Sequence, residues 1–101
     1  MSDMNHVFLS GNLTRDPFIN DTNAKFTIAT KVWSFKDKKT ITKFINVIAF
    51  GGAKAYMEKF GRKGLFIQTF GNLESYKDEK RDVWVLSYVA REITIVNQVK
   101  N

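Results

Sequence analysis

Along most of this chain apolar and polar side chains alternate with a period of two, the pattern of strands whose successive side chains point to opposite faces. Residues 6–13 set Val7, Leu9, Gly11 and Leu13 against His6, Phe8, Ser10 and Asn12, with Gly11 marking a bend or a close approach. Residues 14–24, with Asp-Pro and Asn-Asp turn signals, read as loop. A second strand over residues 25–35 sets Phe26, Ile28, Thr30 and Val32 against Thr27, Ala29, Lys31, Trp33 and Phe35. The stretch KDKKTITK is a charged turn or hairpin loop, and FINVIAF, residues 44–50, is a third strand. Its core face is Ile45, Val47 and Ala49; its other face carries Phe44, Asn46, Ile48 and Phe50, where a half-buried sheet calls for polar residues.

The period then changes. Ala53, Tyr56, Met57 and Phe60 fall at helical spacing, after two glycines and before Gly61 and Gly64, so residues 53–60 form a short helix with one apolar face over the core. A fourth strand follows over residues 64–76, with Ile67, Thr69, Gly71 and Leu73 inward and Gln68, Phe70, Asn72 and Tyr76 outward. KDEKRD is a charged turn, and residues 83–96 form a long β-branched last strand, bent near residues 90–92. Five antiparallel strands with one helix between the third and fourth is the order of the all-β OB-fold, a partly open Greek-key barrel. The chain has 101 residues, one proline, no repeat and no linker, so it reads as a single domain with its core over about residues 5–96. The ends, residues 1–4 and 98–101, are expected to fray.

Composition narrows the function. There is no cysteine, which excludes disulfides and thiolate metal sites and fits a cytoplasmic protein. The N-terminus does not read as a signal peptide, and no apolar run approaches the roughly 18 residues of a membrane span. His6 stands alone, the acids show no paired-carboxylate motif, and there is no phosphate-binding glycine loop, zinc spacing or serine elbow. No enzyme, metal or cofactor is expected. Sixteen Lys and Arg face ten acids, a net charge of +6. Residues 31–63 hold nine of the bases and two of the acids, which suits a polyanionic partner but equally a solvated face.

The second apolar faces tip that balance. Trp33, Phe35, Phe44 and Phe50 lie on the outer faces of the second and third strands, with Lys31, Lys36 and Lys43 among them, and Tyr76 adds a ring from the fourth. Rings interleaved with cations suit single-stranded nucleic acid, because unpaired bases stack on any aromatic plane and phosphates pair with cations. Lys54, Arg62, Lys63 and Arg15 are further candidates for phosphate contact. The competing role for such rings is an oligomer interface, for which Phe8, Phe70, Trp84 and Tyr88 are open candidates; Phe66, Phe70 and Trp84 are expected to pack.

These motifs resemble the bacterial single-stranded DNA-binding protein family. The stretch NHVFLSGNLTRDP is similar to that family's first strand and loop, and FINVIAFGGAKAYMEKFGRKG to its third strand and helix. KFTIAT, the GNL at Gly71 and VWVLSYVAREITIV support the match, which covers residues 5–96. The resemblance implies base-stacking roles for Phe44 and Phe50, one for Trp33 within one residue of a stacking position, and a looser match for Tyr76. It implies a homo-oligomer, a tetramer before a dimer, with first strands paired across an interface that exposes His6 and Phe8. The family's acidic tip, which recruits replication and repair proteins, has no counterpart in the closing VNQVKN, so recruitment by that route is not expected. Arg91 stands where the family carries an acid, and short tailless versions resemble those of phages, plasmids and other mobile elements. The expected function is sequence-nonspecific binding and protection of single-stranded DNA in replication, recombination or repair. The alternatives are a dimeric primosome-type accessory protein and an OB module used only for protein contact; RNA is also open, since stacking does not read the 2′-hydroxyl.

Overall fold

The structure is a computed structural model that describes residues 3–96. The fraying expected at residues 1–2 and 98–101 therefore lies outside the described residues. In chain order the elements are β1 (Val7–Leu13), β2 (Phe18–Ile19), β3 (Asn23–Ser34), β4 (Lys39–Phe50), α1 (Gly51–Phe60), β5 (Phe66–Asp78) and β6 (Val83–Ile95). The sheet runs β1-β5-β6-β4-β3-β2, and β1 also pairs with β3, at Asn12↔Ala29 and Leu13↔Ile28, which closes five long strands into a barrel. The expected barrel and its single helix are both present.

Three details differ from the sequence reading. The strands are not all antiparallel, because β4 and β6 pair in parallel through Val47↔Tyr88, Ile48↔Val89 and Ala49↔Ala90. Within the stretch read as loop, Phe18 and Ile19 pair with Lys25 and Ala24. The charged turn after the second strand is also much shorter than expected. Pairing continues from Asn23↔Phe50 out to Ser34↔Lys39, and only residues 35–38 turn, with Lys38 at φ 55°. The alternation of side chains is weak there because lysines and threonines occupy both faces of the ribbon.

The barrel interior is built from the inward positions of each strand. Leu13, Ile28, Met57 and Ile67 are the largest side chains withdrawn entirely from water, each contributing about 2 kcal/mol by apolar burial. Helix α1 begins directly after β4 and lays Ala53 and Met57 over this core, while Phe60, expected on the same face, stays half out. Two strand glycines permit the barrel geometry. A Cβ on Gly11 would strike the Ala29 carbonyl where β1 crosses β3, and one on Gly71 would strike the Val89 carbonyl. At Gly71 the register of β5 on β6 shifts, from Phe70↔Glu92 to Gly71↔Ala90, so Arg91 is the extra residue of a bulge at the expected bend.

Tyr88, which the sequence leaves open as an interface residue, is buried in this core at 5% exposure. Its hydroxyl lies 2.7 Å from Thr69 Oγ1, which in turn donates to the Leu9 carbonyl at 2.8 Å. Burial pushes the phenol's pKa up, against the opposing pull of the Thr69 hydrogen bond. Tyr88→Phe removes one donor from this chain and is expected to cost about 1 kcal/mol in urea denaturation. An unchanged midpoint would mean that the hydroxyl contributes nothing to the barrel.

Candidate nucleic-acid interface

Directly opposed residues of paired strands share a face, so the register of β3 on β4 sorts every candidate side chain. One face carries Lys25, Thr27, Ala29, Lys31 and Trp33 opposite Ile48, Asn46, Phe44, Thr42 and Thr40. Phe50 closes the row opposite Asn23. From Phe50 to Phe44 this row spans about 20 Å, and from there to the Trp33–Thr40 pair about 13 Å more. Phe44 is 66% exposed and Phe50 45%, with Trp33 between them in exposure. Nothing in the barrel needs these rings on this side. Lys31 sits between Phe44 and Trp33, as expected, and Phe35 and Lys36 stand in the turn beyond Trp33.

Beside Phe50 the face deepens into a cleft of about 600 Å³. Its floor is Ile48, Asn46 and Val89; one wall is Tyr76 and Glu74 on β5, the other Phe18 and Arg15 before and on β2. The Thr27 hydroxyl donates to Asn46 Oδ1 at 2.8 Å, a cross-strand bond beneath the cleft that fixes the Asn46 side chain. The parallel pair Ile48↔Val89 makes this surface continuous across β4 and β6. Phe50, Tyr76 and Arg15 are thus brought into one site from three parts of the chain.

Other candidates stand elsewhere. Lys43 lies opposite Thr30, on the reverse face of the ribbon from Phe44, because neighbouring side chains of a strand point apart. Its placement among the rings is therefore corrected. Lys54 lies half-buried on α1, in an i,i+4 ion pair with Glu58 at 3.3 Å, and does not line the cleft. Arg62 donates to the Gly61 carbonyl at 2.6 Å. The Lys63 backbone N–H donates to Asp16 Oδ1 at 2.7 Å, which ties the loop carrying Arg62 and Lys63 to the loop carrying Arg15. Of these three cations only Arg15 lines the cleft. Trp84, expected to pack, is 70% exposed, with only the Lys77 ammonium over its ring at 5.8 Å.

Phe18, Lys25 and Glu74 were not singled out from the sequence. Lys25 and Glu74 were legible, since alternation puts Lys25 on the face of Lys31 and Trp33 and Glu74 on the face of Tyr76. Phe18 was not, because it lies among turn residues with no periodic pattern.

Comparison with known proteins places this architecture. The sequence matches the model of the single-strand binding protein family over residues 4–96. The chain belongs to the single-strand binding protein family. It is 34% identical over 94 residues to a single-stranded DNA-binding protein of Fusobacterium nucleatum subsp. nucleatum, a match covering 85% of this chain and 61% of that protein. The chain thus spans under two thirds of that relative's length. A Plasmodium falciparum SSB solved in complex with ssDNA shares the fold, with a TM-score of 0.77 at 17% identity over 96% of this chain and 98% of that one. Members of this family bind DNA and catalyse no reaction, so the chain is not an enzyme.

Membership in this family sharpens one feature of the cleft. Glu74 puts a carboxylate into a surface suited to a polyanion. Arg91 answers it from the bulge, with Nε donating to Asn72 Oδ1 at 2.8 Å and Nη2 to Glu74 Oε2, while Asn72 Nδ2 donates to the same carboxylate at 3.1 Å. Both side chains are about half exposed, so the pair adds less than about 1 kcal/mol to stability. Its larger effect is to cancel a charge. Arg91→Ala is expected to weaken single-strand binding about fivefold, the equivalent of about 1 kcal/mol for an unscreened surface charge. Adding Glu74→Gln is expected to restore it. A double variant as weak as the single one would show that Arg91 contacts phosphate directly.

Proposed function

We propose that this chain binds single-stranded DNA without strong sequence preference. The strand runs from the cleft along the outer face of β3 and β4. The observation that supports this most directly is the row of exposed rings, Phe50, Phe44 and Trp33, on a sheet face that the barrel does not use. Bases stack on these rings, with Tyr76 and Phe18 closing the cleft, whatever their identity. Arg15, Lys25 and Lys31 attract the phosphates, helped by Lys36 at the turn and by Arg62 and Lys63 near Arg15. Bound strand is protected and kept from re-annealing during replication, recombination or repair in the cytoplasm. Among the described residues, no helix is long and apolar enough to cross a membrane.

The bound form is a homo-oligomer, a tetramer before a dimer. Phe8 is 78% exposed on β1, with its ring 4.8 Å from Phe70, and His6 stacks on Phe70 at 5.4 Å. Sedimentation of Phe8→Glu against the parent chain tests this, since loss of the larger species is expected.

Titration of labelled oligo-dT at two salt concentrations, followed through tryptophan quenching, tests the binding itself. Quenching with an affinity that falls as salt rises is expected, since each neutralised phosphate contributes about −0.7 to the log–log slope for single strands. A folded sample that fails to bind at low salt overturns this reading, and the rings then mark a protein interface.

A further inference from the structure

Past Ala29↔Phe44 the β3–β4 hairpin leaves the barrel. The last pairing of β1 on β3 is at Ala29, and β6 meets β4 only from Val47 to Ala49. Residues 30–43 therefore form a free two-stranded ribbon that projects about 20 Å. Its charge is lopsided, with Lys31, Lys36, Lys38, Lys39 and Lys43 against Asp37 alone. Asp37 is turned back on the ribbon, accepting from the Ser34 hydroxyl at 3.3 Å. At the tip stands Phe35, 85% exposed.

The cations are on both faces. Lys31 shares the ring face with Trp33 and Phe44, whereas Lys39 and Lys43 pair with Ser34 and Thr30 on the reverse face, next to Val32 and Ile41. A single strand lying on the rings leaves Lys39 and Lys43 without phosphates, and Phe35 lies beyond the last cross-strand pair of the surface on which that strand stacks. A basic ribbon with cations on both faces and an exposed ring at its end matches a place where two strands part.

We propose that this ribbon enters the junction between single-stranded and double-stranded DNA. Phe35 lies against the last base pair. One strand leaves along the Trp33–Phe44 face, and its complement is held by Lys39 and Lys43 on the reverse face. This rests on the single-strand reading above and adds a preferred substrate to it. Aromatic and apolar wedges placed against a base step are an established way for proteins to unstack DNA, and unpaired ribbon edges guarded by lysine are the ordinary alternative.

The test compares a single strand, a forked duplex with arms of that same sequence, and a blunt duplex, by fluorescence anisotropy. The fork is expected to bind at least about fivefold more tightly than its own arm, the lower bound for one added ring-on-base stack. In Lys39→Ala/Lys43→Ala that advantage disappears and the salt slope for the fork falls by about 1.4, the share of two single-strand phosphates. Single-strand affinity stays unchanged, because both lysines face away from that path. A 2-aminopurine at the last base pair is expected to change its fluorescence with the parent chain and not with Phe35→Ala. A fork bound no tighter than its arm overturns the junction proposal and leaves single-strand binding standing. So does a lysine variant that weakens both ligands alike. Absence of binding to the arm itself overturns the functional reading, and the junction proposal with it.

Discussion

Replacing Phe44 and Phe50 together by alanine is expected to weaken binding to oligo-dT by roughly a hundredfold or more, at about 1–3 kcal/mol for each lost stack. The barrel should survive, since both rings point away from the interior and Phe44 is two-thirds exposed. Phe50 precedes the first turn of α1 but supplies no side-chain cap, so its truncation leaves the helix start as it is. The measurement is anisotropy at one fixed salt concentration, with urea denaturation alongside. The salt slope should hardly move, because the variant removes stacking and leaves the phosphate contacts in place. A fall in slope with little loss of affinity would mean that cations, not rings, carry the site. Unchanged affinity would assign this face to a protein partner.

The two phenylalanines were legible because a period of two is the strongest local signal that a sheet leaves in a sequence. Once Ile45, Val47 and Ala49 are assigned inward, Phe44 and Phe50 have to be outward, and the register confirms the partition residue by residue. The same rule, applied one position along, puts Lys43 on the reverse face from the rings. Grouping it with them rested on proximity along the chain, and alternation is the better guide. The cleft was harder to read. Phe50, Tyr76 and Arg15 are brought together by the parallel β4–β6 pairing and by the packing of the β1–β2 loop, and no local pattern records such long-range pairings. Phe18 became part of a wall only because two residues of a turn pair with Lys25 and Ala24.

The ribbon of residues 30–43 illustrates a different limit. Inside the barrel one face of each strand is dictated by the core, so the sequence must alternate. Outside it neither face is buried in the barrel, and Lys31, Thr40, Thr42 and Lys43 are compatible with loop or strand alike. Strand pairing there is held by the cross-strand ladder and the tight turn, where Ser34 and Asp37 bond to each other and the Lys38 N–H donates to the Ser34 carbonyl at 2.7 Å. What composition does record is the charge of the ribbon, and charge is the property its proposed role uses.

Gly71→Ala is expected to destabilise the barrel by about 3 kcal/mol, the upper end of overpacking costs. The added methyl would meet the Val89 carbonyl and the Ala90 Cα, which are backbone atoms of the paired strand with no rotamer to yield. Relief requires β5 and β6 to part at the bulge, in one of the two longest strand pairings in the fold. The lower chain entropy of alanine in the unfolded state offsets only about 0.4–1 kcal/mol. Binding should suffer as well, because the same bulge presents Arg91 to Glu74 and sets the course of β5 toward Tyr76 on the cleft wall. Urea denaturation read beside oligo-dT affinity, at a urea concentration where the variant is still folded, separates the two effects. A lowered midpoint with native affinity in the folded fraction would mean that β5 slides as a unit and keeps the cleft. An unchanged midpoint would mean that the strands do not approach at Gly71 as closely as the register requires. The expected result is loss of both, since one backbone contact fixes the β5–β6 pairing and the wall of the site built on it.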